Sequence, residues 1–123
     1  MSERILIVED EAIPALELQM RLEQWGYEVL RTEEGGEAAI AQARAEHPDL
    51  IIMDIVLADT VGGVEAADAI QETVDVPVLF ITAINYRPPQ MPANKSRLVL
   101  SKPYNPDDLR DALTTLLGDT PRG

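Results

Sequence analysis

Four short apolar runs, each halted by a polar residue, pattern this chain. Ile5-Leu6-Ile7-Val8 stops at Glu9-Asp10, and Leu50-Ile51-Ile52-Met53 stops at Asp54. Val78-Leu79-Phe80-Ile81 stops at Thr82, and Leu98-Val99-Leu100 is followed by Ser101 and Lys102-Pro103. A shorter run, Tyr27-Glu28-Val29-Leu30, is a further strand candidate. Between these runs the apolar spacing lengthens to three and four, the period of a helix. From Ala12 to Trp25 two stripes, Ile13-Leu16-Met20 and Leu18-Leu22-Trp25, predict a helix with a broad buried face.

The other helices follow from the same reading. An Ala-rich segment from Glu37 to Glu46 ends at His47-Pro48, and a further helix spans about Val64 to Thr73. Leu109, Ala112, Leu113, Leu116 and Leu117 make the clearest stripe, preceded by Asn105 as N-cap, Pro106 at the first position, and Asp107 and Asp108 at the positive end of the helix dipole. Strands alternating with helices predict an α/β fold with a parallel sheet. The stretch after Thr82 breaks the alternation: Pro88, Pro89 and Pro92 fall where a helix body belongs, and each costs about 3 kcal/mol inside a helix. A loop or one or two turns is expected there. The chain is read as one domain over residues 1–118 with a disordered tail at 119–123.

Composition narrows the function. The 123 residues have the length of one domain. Lys and Arg number 10 against 22 Asp and Glu, a formal charge of −12, so direct binding of nucleic acid is not expected. There is no cysteine for disulfides or thiolate metal sites. No membrane-spanning stretch or secretory leader is legible, and a cytoplasmic location is the expectation.

In a parallel sheet the carboxyl ends of the four runs share one edge, where open α/β sheets place their chemistry. That edge would gather Glu9, Asp10, Asp54, Thr82 and Lys102. Two like charges at about 4 Å repel by roughly 4 kcal/mol at a typical effective dielectric, so converging carboxylates call for a cation. Oxygen-only ligands with room for water suit Mg²⁺. Asp54 is the candidate nucleophile, since an aspartate can accept a phosphoryl group as an acyl phosphate. Lys102 and Thr82 would offset the incoming charge.

Val8-Glu9-Asp10-Glu11, Met53-Asp54-Ile55, Ile81-Thr82-Ala83 and Ser101-Lys102-Pro103-Tyr104 fall in order at four strand ends. In this the chain resembles the response-regulator receiver domains of two-component signalling, over essentially its whole length. The resemblance implies a flavodoxin-like (CheY-like), doubly wound sheet of five parallel strands in the order 2-1-3-4-5. It implies Asp54 as phosphoacceptor, Asp10 as a direct Mg²⁺ ligand, Glu9 as a ligand directly or through water, and Val56 as a ligand through its backbone carbonyl. Thr82 and Lys102 would contact the phosphoryl group, and Ala83 would leave room for it. The implied partners are a sensor histidine kinase or histidine phosphotransfer protein and a downstream protein or effector domain outside this chain, with a homodimer left open.

The departures are as informative. Val99 stands three positions before the lysine, where the family commonly carries an aromatic residue that swings inward on phosphorylation. The loop after Asp54 is one residue longer than usual, with Ala58 at the usual proline position. The prolines after Thr82 resemble receiver subgroups whose fourth helix is shortened or replaced by a loop, and Phe80-Ile81-Thr82-Ala83 partly matches the Phe-Ala-Thr-Gly pattern of one of them. Val56 and Ile84 hold positions that overhang the phosphoryl group in this family. Both are apolar, so self-dephosphorylation is expected to be slow.

Plainer readings exist for each residue singly: aspartates after strands are common turn residues, Asp10 could cap a helix, and Lys102 could be a solvated charge. His47, the only histidine, sits at a helix end and carries no motif. A flavodoxin-type electron carrier would need a phosphate-binding loop where Glu9-Asp10-Glu11 stands. A Mg²⁺-dependent aspartyl phosphatase would need an acid at Val56. A phosphorylation-independent scaffold is the remaining alternative.

Overall fold

Each apolar run forms a strand, and the three central ones are buried on both faces because a side chain on either face finds a helix to pack against. A computed structural model describes residues 3–9, 11–32, 35–55, 62–82 and 97–118. The strands are β1 (Arg4–Val8), β2 (Glu28–Thr32), β3 (Leu50–Asp54), β4 (Val78–Thr82) and β5 (Arg97–Ser101). All pair in parallel, in the order β2-β1-β3-β4-β5. The helices among the described residues are α1 (Ala12–Gln24), α2 (Gly36–Glu46), α3 (Gly63–Thr73) and α4 (Pro106–Leu117). This is the expected flavodoxin-like sheet. The proline-bearing stretch after Thr82, where a shortened helix or loop is expected, and the tail at 119–123 lie outside the described residues.

The two sheet faces carry separate cores. Leu6, Val8, Ile51, Met53, Val78 and Phe80 pack with Ala39 and Ala43 of α2 and Ala66, Ala67 and Ile70 of α3. Ile5, Ile7, Leu50, Ile52, Leu79 and Ile81 pack with Leu18 and Leu22 of α1 and Leu109 and Leu113 of α4. The chain changes face between β1 and β3, which opens a crevice at their carboxyl ends.

Local signals set the helix ends. The Asn105 side chain accepts a 2.8 Å hydrogen bond from the Asp108 N–H, so the expected cap of α4 forms. Gly26, at φ +94, makes the left-handed turn out of α1 that an L side chain resists. His47 ends α2 at φ 48, exposed at the edge of the sheet opposite the strand carboxyl ends.

One expectation fails. Helix α1 buries Ala15, Leu18 and Leu22, but Ile13, Leu16 and Met20 remain 73%, 49% and 54% exposed. A single sheet face beside α4 can cover only one stripe of the helix, and it covers the stripe that begins at the small Ala15 and continues through Leu18 and Leu22. The buried face is therefore narrower than the spacing predicts. Trp25 is partly buried at the end of α1, with the Arg110 guanidinium 5.3 Å from its ring centroid.

Candidate functional site

The strand ends bring Glu9, Asp54, Thr82 and Lys102 to one edge. Asp54 closes β3, its backbone in register with Ile81 of β4. Thr82 closes β4 opposite Ser101, and its carbonyl accepts a 2.7 Å hydrogen bond from the Lys102 N–H. That bond fixes the chain just as it leaves β5, where the Lys102–Pro103 peptide is cis. The Ile55 N–H donates to the Ile81 carbonyl at 3.2 Å, and the Gly63 N–H donates to the Ile55 carbonyl at 2.9 Å. The residue after Asp54 is thus tied to both β4 and α3.

Glu9 is the most constrained of the group. It is only 7% exposed, and its Oε1 accepts from the Glu11 N–H at 3.0 Å while Oε2 lies 3.8 Å from the Lys102 Nζ. Burial is the main cause that pushes its carboxyl up to about 7, with the Asp54 charge and a hydrogen bond shared with Asp54 acting in the same direction. The Glu11 N–H and the Lys102 ammonium oppose the shift without cancelling it. Only the fold reveals that Glu9 is buried.

The Thr82 side chain is buried, and its Oγ1 has no hydrogen-bond partner among the described residues. A buried hydroxyl without a partner costs free energy, and an anionic oxygen brought to the site would satisfy it. Among the described residues no three carboxylates or histidines converge as metal ligands. The pair that does meet is Glu9 and Asp54, a buried and an edge carboxylate beside one ammonium. Such a set is oxygen-only and short of positive charge, which fits a hard divalent cation.

Asp10, Val56, Ala83 and Ile84, expected at this edge, lie outside the described residues. Val99 is on β5, 40% exposed, two residues from the end of the strand. Beyond Lys102, Tyr104 lines a groove of about 280 Å³ together with Pro14, Glu17, Leu18, Arg21, Lys102 and Pro106. Burial pushes the Tyr104 hydroxyl above its ordinary range.

Gly63 carries a constraint that the sequence does not announce. A Cβ there would lie 2.3 Å from the Asp54 carbonyl oxygen, so α3 can start against the Asp54 backbone only because this residue has no side chain. The doublet Gly62-Gly63 is its only trace in the sequence, and a glycine doublet equally marks an ordinary turn.

Comparison with known proteins agrees with this fold. Phyllosphere-induced regulator PhyR of Methylorubrum extorquens is 32% identical over 95% of this chain, which spans 44% of that protein's length. Protein PilH of Pseudomonas aeruginosa is 32% identical, over 93% of this chain and 97% of its own. The crystal structure of the N-terminal domain of a response regulator/sensory box/GGDEF 3-domain protein from Carboxydothermus hydrogenoformans superposes with a TM-score of 0.82 at 32% identity, covering 94% of each chain. No helix among the described residues is long and apolar enough to cross a membrane. The family model described as the response regulator receiver domain matches residues 5–114, and the chain belongs to that family.

Proposed function

We propose that this receiver domain accepts a phosphoryl group on Asp54 in a Mg²⁺-dependent reaction in the cytoplasm. The donor is a sensor histidine kinase or a histidine phosphotransfer protein, and a downstream protein or effector domain reads the result. The observation that carries the proposal is the set around Asp54: a buried carboxyl at Glu9, an ammonium at Lys102, and a buried hydroxyl at Thr82 without a partner among the described residues.

In the transfer, a carboxylate oxygen of Asp54 forms a bond to phosphorus. The bond from phosphorus to the donor's imidazole nitrogen, or to the oxygen of acetyl phosphate, breaks and its electron pair leaves with the donor. Glu9, Asp10, Asp54 and the Val56 carbonyl would hold Mg²⁺, which when bound neutralises charge on the phosphoryl oxygens. Lys102 and Thr82 orient those oxygens, and Ala83 leaves them space. The chemistry is largely positioning and charge stabilisation. Val56 and Ile84 offer no polar group to hold an attacking water, so the chain is a signalling acceptor with slow self-dephosphorylation.

Incubation with acetyl phosphate and Mg²⁺, followed by intact-mass spectrometry, is expected to give one phosphoryl group per chain, lost in Asp54→Asn. Label that persists after the donor is removed, without sustained phosphate release, separates a receiver from a phosphatase. A wild-type chain that takes up nothing, or an Asp54→Asn chain that labels equally, overturns the proposal.

A protein donor needs a face to dock on. The exposed stripe Ile13, Leu16 and Met20 on α1 adjoins the groove that Lys102 lines. Exposed apolar residues this close to a reacting edge suit a helical partner surface. Ile13→Glu with Met20→Glu is expected to slow transfer from any histidine kinase that labels the wild type by about tenfold or more, equivalent to about 1.4 kcal/mol of docking. Labelling by acetyl phosphate should be unchanged, and an equal loss with both donors would rule out docking as the cause.

A further inference from the structure

Helix α3 touches the Asp54 segment at its start and the edge strand β5 further along. At the start, the Gly63 N–H donates to the Ile55 carbonyl at 2.9 Å, and the helix backbone lies so near Asp54 that a Cβ would meet its carbonyl oxygen at 2.3 Å. Further along, Asp68 and Gln71 both engage Arg97, the first residue of β5. The Arg97 Nη2 lies 2.6 Å from the Asp68 Oδ1, and its Nε donates to the Gln71 Oε1 at 2.8 Å. Gln71 in turn donates through Nε2 to the Val76 carbonyl at 2.7 Å, just before β4.

The Arg97 side chain is 2% exposed, and its guanidinium lies 5.7 Å from the centroid of the buried Phe80 ring. Phe80 and Thr82 alternate along β4 onto the face that α3 covers, as does Val78, which is in register with Arg97. Nη1 is buried and has no hydrogen-bond partner among the described residues. A role in packing alone would be served as well by an apolar side chain of similar volume, because burying a guanidinium carries a desolvation penalty. What the ion pair and the directed hydrogen bond provide is a defined position of α3 against β5.

We infer that α3 acts as a lever, transmitting the state of the Asp54 segment to β5 through the clamp of Arg97 on Asp68 and Gln71. The inference rests on the phosphoacceptor reading of Asp54. Between Gly63 and Gln71 a regular helix spans about 12 Å, and Ala66 and Ala67, both fully buried, seat it closely on the sheet. A displacement at one end of so short a helix is carried to the other. Phosphorylation at Asp54 loads the backbone against which Gly63 rests, and β5 reports it.

Amide hydrogen exchange over β5, with and without acetyl phosphate and Mg²⁺, tests this in the full chain. In the wild type, phosphorylation is expected to change exchange over Arg97–Ser101 by about threefold or more, a resolvable change in local opening. In Arg97→Met and Asp68→Asn, Asp54 should label as in the wild type and the first turn of α3 should still respond, while the response of β5 is lost in Arg97→Met and weakened in Asp68→Asn, which removes the ion pair but keeps the bond to Gln71. Asp68 is half-exposed, so its variant keeps the test decisive if Arg97→Met does not fold. A labelled wild type whose β5 does not respond, or a response of equal size in Asp68→Asn, overturns the inference alone. A wild type that takes up no label overturns the phosphoacceptor reading and the inference with it.

Discussion

Gly63→Ala is expected to destabilise the chain by about 3 kcal/mol, the upper end of the cost of overpacking, and to slow labelling of Asp54. Two effects compete at this position. Alanine favours a helix over glycine by about 1 kcal/mol, which alone would stabilise α3. Against it, the new Cβ would lie 2.3 Å from the Asp54 carbonyl oxygen and 2.8 Å from the Ile55 Cα. Both are backbone atoms that cannot rotate away, so the helix must move or β3 must bend, and the bond from the Gly63 N–H to the Ile55 carbonyl stretches. The steric effect wins. Misplacing a reacting group by about 1 Å can cost a factor of about 100 in rate, so labelling should fall even in the fraction that remains folded. Gly62→Ala is the control: φ there is −69, and the nearest atom to its Cβ is the Glu65 carboxylate at 3.6 Å, a side chain free to give way. Urea denaturation and the initial rate of acetyl phosphate labelling measure both effects. A Gly63→Ala protein as stable as Gly62→Ala would show that α3 does not bear on Asp54.

The strand ends were legible in the sequence because parallel strands covered on both faces read as unbroken apolar runs. Ile5–Val8, Leu50–Met53 and Val78–Ile81 are buried throughout, and the residues that stop them mark the edge. Helix α4 was legible for a second reason: Asn105, Pro106 and the acidic first turn are local signals that need no tertiary context. Helix α1 was legible as a helix, yet not as to which stripe it buries. Both stripes fit the helical period, and only the approach of the sheet beside α4 decides for Ala15, Leu18 and Leu22. The apolar pattern marks only the centre of β5, Leu98 to Leu100, and does not reach Arg97. Its partners Asp68 and Gln71 lie 29 and 26 residues away, and no motif links a buried arginine to a helix at that distance.

The same limit applies at the site. Glu9 and Asp10 are adjacent acids in the sequence, and nothing there says that one is buried against an ammonium. Without divalent cation, the protein should lose on the order of 3 kcal/mol of stability as pH rises from about 4.5 to above 7, because each tenfold difference in proton affinity between the folded and unfolded chain is worth about 1.4 kcal/mol. The sign follows from the direction in which the fold moves Glu9. Its carboxyl has an ordinary value of 4.5 and is raised to about 7 in the fold, so between those values the folded chain holds a proton that the unfolded chain has lost. The stabilisation is fully present below pH 4.5 and is lost as pH passes through about 7. The groups that bear on Glu9 are Asp54, Lys102 and the Glu11 N–H, with burial the largest influence. Glu9→Gln removes the ionisation, so its stability should be flatter over this range and should exceed that of the wild type at pH 8 in EDTA. Mg²⁺ at about a thousand times its Kd should reverse the order at pH 8, since a cation bound only by the folded chain then adds about 4 kcal/mol, more than the ionised Glu9 costs, and Glu9→Gln lacks a charged ligand. Denaturant titrations of both proteins at pH 5 and pH 8, in EDTA and in Mg²⁺, decide the matter. Parallel pH slopes for wild type and Glu9→Gln in EDTA would mean that Glu9 is ionised at neutral pH even without the metal, and that Lys102 alone meets its charge.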